Sequence, residues 1–438
     1  MKKSCEEQVY FPWEKDLKGL GRDQIKELQL ERLQLTCNRA YSRVDFYRKR
    51  FDEIGLLPED IKDLDDLDKF PFTTQEDLAN HYPYGMFAVP LKDIVRIKYS
   101  RNVGESPIVI GYTKKDVKIW TQLMARLMHS IGIHKRDIVQ IAFNYSLFTG
   151  AFNFNAGTEE IGATVAPSAT VSATIQLKIM QDFRSTVLAT TPSFALHILK
   201  TMRDQSLDPH LLHLRIGIFG PDFMNSELRK ELEDGFGIKA YSIYGVEELV
   251  EPGLAGECEY QDGLHIAEDH FYAEIINPAT GKLLPPGSPG ELVITTLTTE
   301  AYPLIRYRTG DITAFSEAPC ACGRKTIRMS PSFRRSDDRI TVRGVSIYPQ
   351  QVERIICEIE PTIVDFRLVV YTTRGLGDRL DLLIVPPADE SLMKGTRGQI
   401  LERVRSTMRR HLGLGVRVQW TTREILPAEG MLYKTVIN

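Results

Sequence analysis

Residues 334–349 read RRSDDRITVRGVSIYP, and how this polar, arginine-led stretch is parsed decides the fold. Downstream of it come a helix (QQVERIICEIE, 350–360), two strands (DFRLVVYTT, 365–373; DRLDLLIVP, 378–386), a longer helix (GQILERVRSTMRRHLG, 398–413) and a last strand (VRVQWT, 416–421). That is a compact α+β unit of about a hundred residues, an ordinary domain size. Upstream, from about 95 to 300, short apolar runs alternate with helical stretches: DIVQIAF (137–143), ATVAPS (163–168), STVLATT (185–191), LRIGIFG (214–220) and IKAYSIYG (238–245). Such alternation predicts α/β layers around a largely parallel sheet. YAEIINP (272–278) and GELVITTL (290–297) read as strands joined across the turn-rich PATGKLLPPGSPGE. The boundary therefore falls at the quoted stretch, with one domain over 1–336, a second over 337–438 and a hinge at Ser336–Arg339.

Nearer the N-terminus, residues 21–52 carry helical signals that place Ile25, Leu28 and Leu35 on one side. DLDDLDKFPFTTQEDL (63–78) reads as a turn and then a helix capped at Thr73 or Thr74. PIVIGYT (107–113) reads as a buried strand running into a helix start, preceded by a polar loop, YSRNVGES (99–106), with one glycine. The chain has 438 residues, 42% hydrophobic and 26% charged, with net charge −3, so two or three soluble globular domains are expected. The charge gives no basis for a nucleic-acid partner. Without an apolar run approaching about 18 residues, no membrane partner is expected either. The opening MKKSCEEQVYFPWEKDL lacks the apolar middle of a signal peptide, so the expected location is cytoplasmic. Six cysteines in a chain this long are no disulfide framework.

Four short stretches carry candidate chemistry. In YGVEELVEPG (244–253), a Tyr-Gly turn with paired carboxylates offers hard oxygen ligands for Mg²⁺ beside a nucleotide. Equally, Glu247 and Glu248 could sit in a helix's first turn, where the dipole favours them. YPLIRYRTGDIT (302–313) ends a strand in Arg-Thr-Gly-Asp, where an Asp can accept both hydroxyls of a ribose or simply close a type I or II turn. CACGRK (320–325), with Cys258 and His265 upstream, supplies four soft or borderline ligands for a closed, structural zinc site, or else free thiols on a loop. FNYSLFTG (143–150) places Tyr145 and Phe148 where an apolar acid could lie, although core packing explains aromatics as well.

Together and in this order, these motifs resemble the phenylacetate–CoA ligase family of adenylate-forming enzymes. The likeness runs over nearly the whole chain. It includes VDFYRKRFDEIGL, FPFTTQEDL, VIGYTKKDV, LFTG, TPSFAL, YGVEE, the long run LHIAEDHFYAEIINPATGKLLPPGSPGELVITTLTTEAYPLIRYRTGDIT, CACGR and RRSDDRITVRGVSIYPQQVE. The resemblance implies an α/β protein, with a large N-terminal adenylate-forming domain joined by a hinge to a small, mobile α+β C-terminal domain. It implies activation of a small aromatic carboxylic acid with ATP and Mg²⁺, then acyl transfer to CoA or another acceptor. By the same likeness Glu248 is the magnesium-side carboxylate of the Tyr244-Gly245 motif and Asp311 takes the ribose hydroxyls. Arg335 lies near ribose or phosphate, Asp337 sits at the hinge, and Tyr145 and Phe148 border the acid pocket. Matching Cys and His positions in the family add structural Zn²⁺ at Cys258, His265, Cys320 and Cys322. A homodimer is an allowed assembly.

This chain departs from the family pattern at the nucleotide positions. Where relatives carry a Ser/Thr/Gly-rich phosphate loop before the strand, this chain has Ser100, Arg101, Asn102, Val103, Gly104, Glu105 and Ser106. Hydroxyls and flexible backbone suit phosphate oxygens and a carboxylate repels them; Ser100 and Arg101 are the residues left to bind there. The adenine-side motif has become Gly220-Pro221-Asp222-Phe223. Near the C-terminus Met431 stands where relatives carry the adenylation lysine, and Lys434 is the nearest candidate to act in its place. Two alternatives follow: a homologue recruited in specialised metabolism to form amides or esters, either from an already activated acyl group without ATP or by passing an acyl-adenylate to an amine or alcohol, or a non-catalytic relative that binds an aryl ligand or a protein partner.

Overall fold

The computed structural model describes residues 17 and 19–437, apart from 101–106, 144, 146–149, 170, 221–223, 250–251, 331–333, 337–339, 343–344, 348, 364, 374–376, 388–390, 392 and 423–431. Arg101, Phe148, Met431 and Asp337, the residue expected at the hinge, thus lie outside the described residues.

Among the described residues the central sheet has nine strands. Five of them, Thr164–Pro167, Ile138–Ile141, Val187–Thr190, Ile216–Phe219 and Lys239–Tyr244, lie side by side and parallel. Each matches a run that the alternation predicts. Burial on both faces explains why the runs at Ile138–Ile141, Val187–Thr190, Ile216–Phe219 and Lys239–Tyr244 read as nearly continuous apolar stretches, whereas the edge strand Thr164–Pro167 is partly exposed. Beyond Lys239–Tyr244 the sheet turns antiparallel, through Ala255–Gly256, Leu264–Ile266, Arg328–Met329 and Phe315–Ser316. A four-stranded antiparallel sheet orders Phe271–Ile276, Gly290–Thr296, Tyr307–Thr313 and Arg334–Arg335. The C-terminal unit has its own sheet, ordered Arg417–Trp420, Gly377–Ile384, Phe366–Thr373 and Leu432–Ile437, with helices Pro349–Ile359 and Arg397–Leu412. It also has its own apolar core, including Val352, Ile356, Leu368, Leu382, Ile400 and Val404. Among the described residues no helix is long and apolar enough to cross a membrane.

Local chemistry sets two junctions that frame the site. Thr113 ends the strand Ile108–Thr113 and caps the helix Lys114–Ser130 through a reciprocal box with Asp116. Asp116 also accepts hydrogen bonds from the Glu300 and Ala301 amides at 2.7 and 3.1 Å, tying that helix to a segment far along the chain. Asp116→Ala leaves these buried donors without their acceptor, at a cost of about 2–3 kcal/mol. The expected result is a fall of roughly 5 °C in Tm by calorimetry, and an unchanged Tm would show the box to be dispensable. Thr74, not Thr73, caps the helix Gln75–Asn80. Thr73 instead bridges to Tyr307, its amide donating to Arg306 O and its carbonyl accepting from Arg308 N.

One face was assigned differently by the sequence. The helix Arg22–Arg43 buries Ile25, Gln29, Leu33, Thr36, Cys37 and Ala40, whereas Leu35 is 62% exposed and Leu28 only half-buried. At about 100° per residue, positions 28 and 35 point well away from the arc that runs through 25, 29, 33 and 36.

Candidate active site and metal centre

The strand Lys239–Tyr244 is the last parallel strand, and its C-terminal end is where an open α/β sheet ordinarily binds ligands. The chain turns there at Gly245, and Tyr244 reaches across to the antiparallel sheet, where its hydroxyl donates to Asp311 Oδ2 at 2.6 Å. Arg335, opposite Asp311 in the register, donates from Nη1 to Asp311 Oδ1 at 2.5 Å and from Nη2 to Thr309 O at 2.8 Å. Asp311 is 8% exposed. The Arg-Thr-Gly-Asp run is not a turn that ends a strand. It lies inside Tyr307–Thr313, where the register slips between Glu291 and Val293 of the neighbouring strand. Gly310, at φ +75°, adopts the left-handed backbone that this bulge requires, and bulges re-aim the side chains beside them. A carboxylate can accept about four hydrogen bonds, so one oriented by a tyrosine and an arginine can still take ligand hydroxyls.

Glu247 and Glu248 do not open a helix. Leu249 N bonds Val246 O at 2.9 Å, which makes them the central pair of a tight turn. The helix-dipole explanation of their charge is therefore removed. Other groups meet them instead. Gln75 Nε2 donates to Glu248 Oε1 at 2.9 Å, and Glu248 is 2% exposed. Lys98, 3% exposed, donates from Nζ to Glu247 O at 3.0 Å and lies 3.9 Å from Glu247 Oε1. Lys98 belongs to the strand Ile94–Ser100, which pairs antiparallel with Ile108–Thr113. Ser100, the last residue of that strand, is buried on the same face as Lys98, at the threshold of residues 101–106. A buried glutamate is a hard oxygen donor, and its chemistry suits Mg²⁺.

Tyr145 is half-buried against the core beneath the parallel sheet. Its hydroxyl donates to Asn155 Oδ1 at 2.8 Å, and its ring meets Phe152 edge-on at 5.4 Å. Burial pushes the Tyr145 hydroxyl above its ordinary pKa, so it stays a neutral donor. Phe152 is 45% exposed, with the Arg96 guanidinium 6.0 Å from its ring centre. Lys434 is in the strand Leu432–Ile437 of the C-terminal sheet, with its backbone opposite Val370. Sequence reasoning missed Lys98, Gln75 and Phe152. An alternation of charged and apolar residues in IVRIKYS could have flagged Lys98; nothing local marks Gln75.

The four metal-ligand candidates do converge. One donor atom from each of Cys258, His265, Cys320 and Cys322 lies within 4.8 Å of the others. Cys258 Sγ and Cys320 Sγ are 3.7 Å apart, and Cys322 Sγ is 3.4 Å from His265 Nε2. Two sulfurs about 2.3 Å from one tetrahedral Zn²⁺ stand about 3.8 Å apart, and a sulfur–nitrogen edge is about 3.5 Å, so the donor set fits zinc. His265 Nδ1 is bonded to Thr326 Oγ1 at 2.9 Å, which leaves Nε2 facing the sulfurs. Burial, then Arg324 and Arg328, push His265 down to about 4, so its ring is neutral, as a ligand must be. Burial pushes the Cys258 thiol up to about 12. At Cys320 burial acts in the same direction, but hydrogen bonds from Cys322 and Cys258 and the charge of Arg328 outweigh it and lower the thiol.

The AMP-binding enzyme family matches residues 117–299, and the AMP-binding enzyme C-terminal domain matches residues 344–438. A phenylacetate-coenzyme A ligase of Aromatoleum evansii is 43% identical over 83% of this chain and 82% of its own. One from Thermus thermophilus is 39% identical over 85% of this chain and 84% of its own. Among solved structures, a 2-hydroxyisobutyryl-CoA ligase in complex with 2-HIB-AMP and CoA superposes with a TM-score of 0.87 at 24% identity, covering 96% of this chain and 91% of that one. The likeness to that structure concerns the fold, large and small domains included.

Proposed function

The chain belongs to the phenylacetate–CoA ligase family of AMP-binding enzymes, and from that premise we propose that it activates an aryl or arylacetic acid and passes the acyl group to CoA. In the first half-reaction a carboxylate oxygen of the acid attacks the α-phosphorus of ATP and pyrophosphate leaves. In the second, the CoA sulfur attacks the acyl carbon and AMP leaves. The observation that carries this reading is the Tyr244–Asp311–Arg335 cluster beside the Glu248 turn at the end of the last parallel strand. Asp311 takes the ribose hydroxyls, Arg335 holds Asp311 and adds positive charge, and Glu248 faces the metal side of the nucleotide. Mg²⁺, when bound, offsets the charge of the phosphates. Tyr145 and Phe152 line the acid pocket, and Ser100 and Arg101 meet the phosphates. The domains divide at 336/337, with Asp337 in the hinge, and zinc at the four-ligand cluster is structural.

The test is calorimetric titration of Mg·ATP, together with pyrophosphate release across a panel of aryl and arylacetic acids. Acid-dependent release above the acid-free background is expected. No nucleotide binding would overturn the reading.

A second reading is favoured by specific residues. Val103, Glu105, Ser106 and Met431 stand where the family pattern has phosphate-binding groups, which favours transfer from an already activated acyl ester to an amine or alcohol. Met431→Lys separates the two. If the ancestral site is otherwise intact, this change raises acid-dependent pyrophosphate release by about tenfold or more, because an ammonium stabilises charge that a thioether cannot. No gain counts for the ATP-free reading.

A further inference from the structure

We propose that Lys98 and Gln75 are positioning residues that clamp the Glu247–Glu248 turn from two separate elements and so fix the direction of the Glu248 carboxylate; the functional consequence, though not the geometry, rests on the ligase reading above. Two adjacent carboxylates on a tight turn repel each other, and here no helix dipole relieves them. Lys98 takes hold of Glu247 twice, through its carbonyl at 3.0 Å and its carboxylate at 3.9 Å. Gln75 holds Glu248 through Oε1 at 2.9 Å. A lysine only 3% exposed is costly to bury, and buried ion pairs are weak contributors to stability, so its presence here points to orientation rather than strength.

Both holders are themselves fixed. Lys98 stands in a strand, paired with Ile110. Gln75 is the first residue of a helix capped by Thr74, and the preceding Thr73 is held opposite Tyr307 by two backbone bonds, its amide donating to Arg306 O at 3.0 Å and its carbonyl accepting from Arg308 N at 2.9 Å. Tyr307 begins the strand that carries Asp311. A short path of covalent and hydrogen bonds thus sets the metal-side carboxylate, Glu248, against the ribose-side carboxylate, Asp311. The two ends of a bound nucleotide would be held in register by residues that touch neither.

The test uses the full chain with Lys98→Met, Gln75→Leu, Lys98→Arg and the double change Lys98→Met/Glu247→Gln. Two readouts are taken: hydrogen exchange at the Leu249 amide without ligand, and the Kd for Mg·ATP. Lys98→Met and Gln75→Leu should each speed exchange about tenfold and raise the Kd about tenfold with little change in Tm, as removal of a residue that orients a ligand group does. Lys98→Arg should restore both readouts, and Glu247→Gln should recover part of the loss caused by Lys98→Met. Unchanged exchange at Leu249 overturns the clamp. Faster exchange with an unaltered Kd supports the clamp and removes Glu248 from the nucleotide site. A wild-type chain that takes no Mg·ATP overturns the ligase reading alone, and the exchange data then decide on the clamp.

Discussion

Glu248→Gln is expected to lower acid-dependent pyrophosphate release by about a hundred- to a thousand-fold, the scale on which one preorganised electrostatic group acts. The substitution keeps the shape of the side chain and leaves an oxygen to accept from Gln75 Nε2, so Tm should stay within a few degrees. What it removes is charge. A neutral amide is a poorer partner for Mg²⁺, and the loss should appear mainly in kcat, with the apparent Mg²⁺ requirement raised. Asp311→Asn should divide differently. It weakens acceptance of the ribose hydroxyls and loosens the tie to Arg335, so the KM for ATP should rise more than kcat falls. If Glu248→Gln retains activity within about threefold, the tight turn has no part in the chemistry.

The scaffold was open to sequence reasoning because its strands are short apolar runs bounded by glycine, proline and polar turns. Each of the five parallel strands from Ile138 to Tyr244 falls within such a run. The site was open only in part. Asp311 and Glu248 lie in recognisable motifs, but their local backbone admits two readings. Arg-Thr-Gly-Asp suits a turn as well as a bulge, and the bulge is set by pairing with Glu291 and Val293 on another strand. For the carboxylate pair a signal existed, since Pro252-Gly253 follows closely and disfavours a helix there. The holders of that pair were hidden for a different reason. Lys98 meets Glu247 across 149 residues of chain and Gln75 meets Glu248 across 173, and tertiary contacts at such separations leave no local pattern. The candidate zinc ligands show the opposite case: their spacing is unlike a zinc finger's, yet the Cys-x-Cys pair of CACGRK, with Cys258 and His265 upstream, was enough to nominate all four.

Cys258→Ala is expected to strip about one equivalent of zinc from the purified protein and lower Tm by roughly 10 °C. Cys258 is fully buried and Cys320 nearly so. Their sulfurs stand at 3.7 Å, too far for a disulfide and right for two ligands of one ion. The four candidate ligands come from three pieces of chain: Cys258 from the segment after Ala255–Gly256, His265 from the strand Leu264–Ile266, and Cys320 and Cys322 from the loop between Phe315–Ser316 and Arg328–Met329. A metal there fastens the antiparallel extension of the central sheet, which is otherwise joined by strands of two or three residues. Losing it should cost about 3–5 kcal/mol, less than the binding energy of zinc-dependent miniature domains, because the large core folds without it. At about 2–4 °C per kcal/mol this gives the stated shift. Because all four ligand positions are filled by protein, the site offers no open coordination for catalysis. Activity measured well below Tm should therefore change less than threefold. Metal analysis that finds no zinc in a stable wild-type protein would leave four thiol and imidazole groups packed together for some other reason and would remove the metal from this fold.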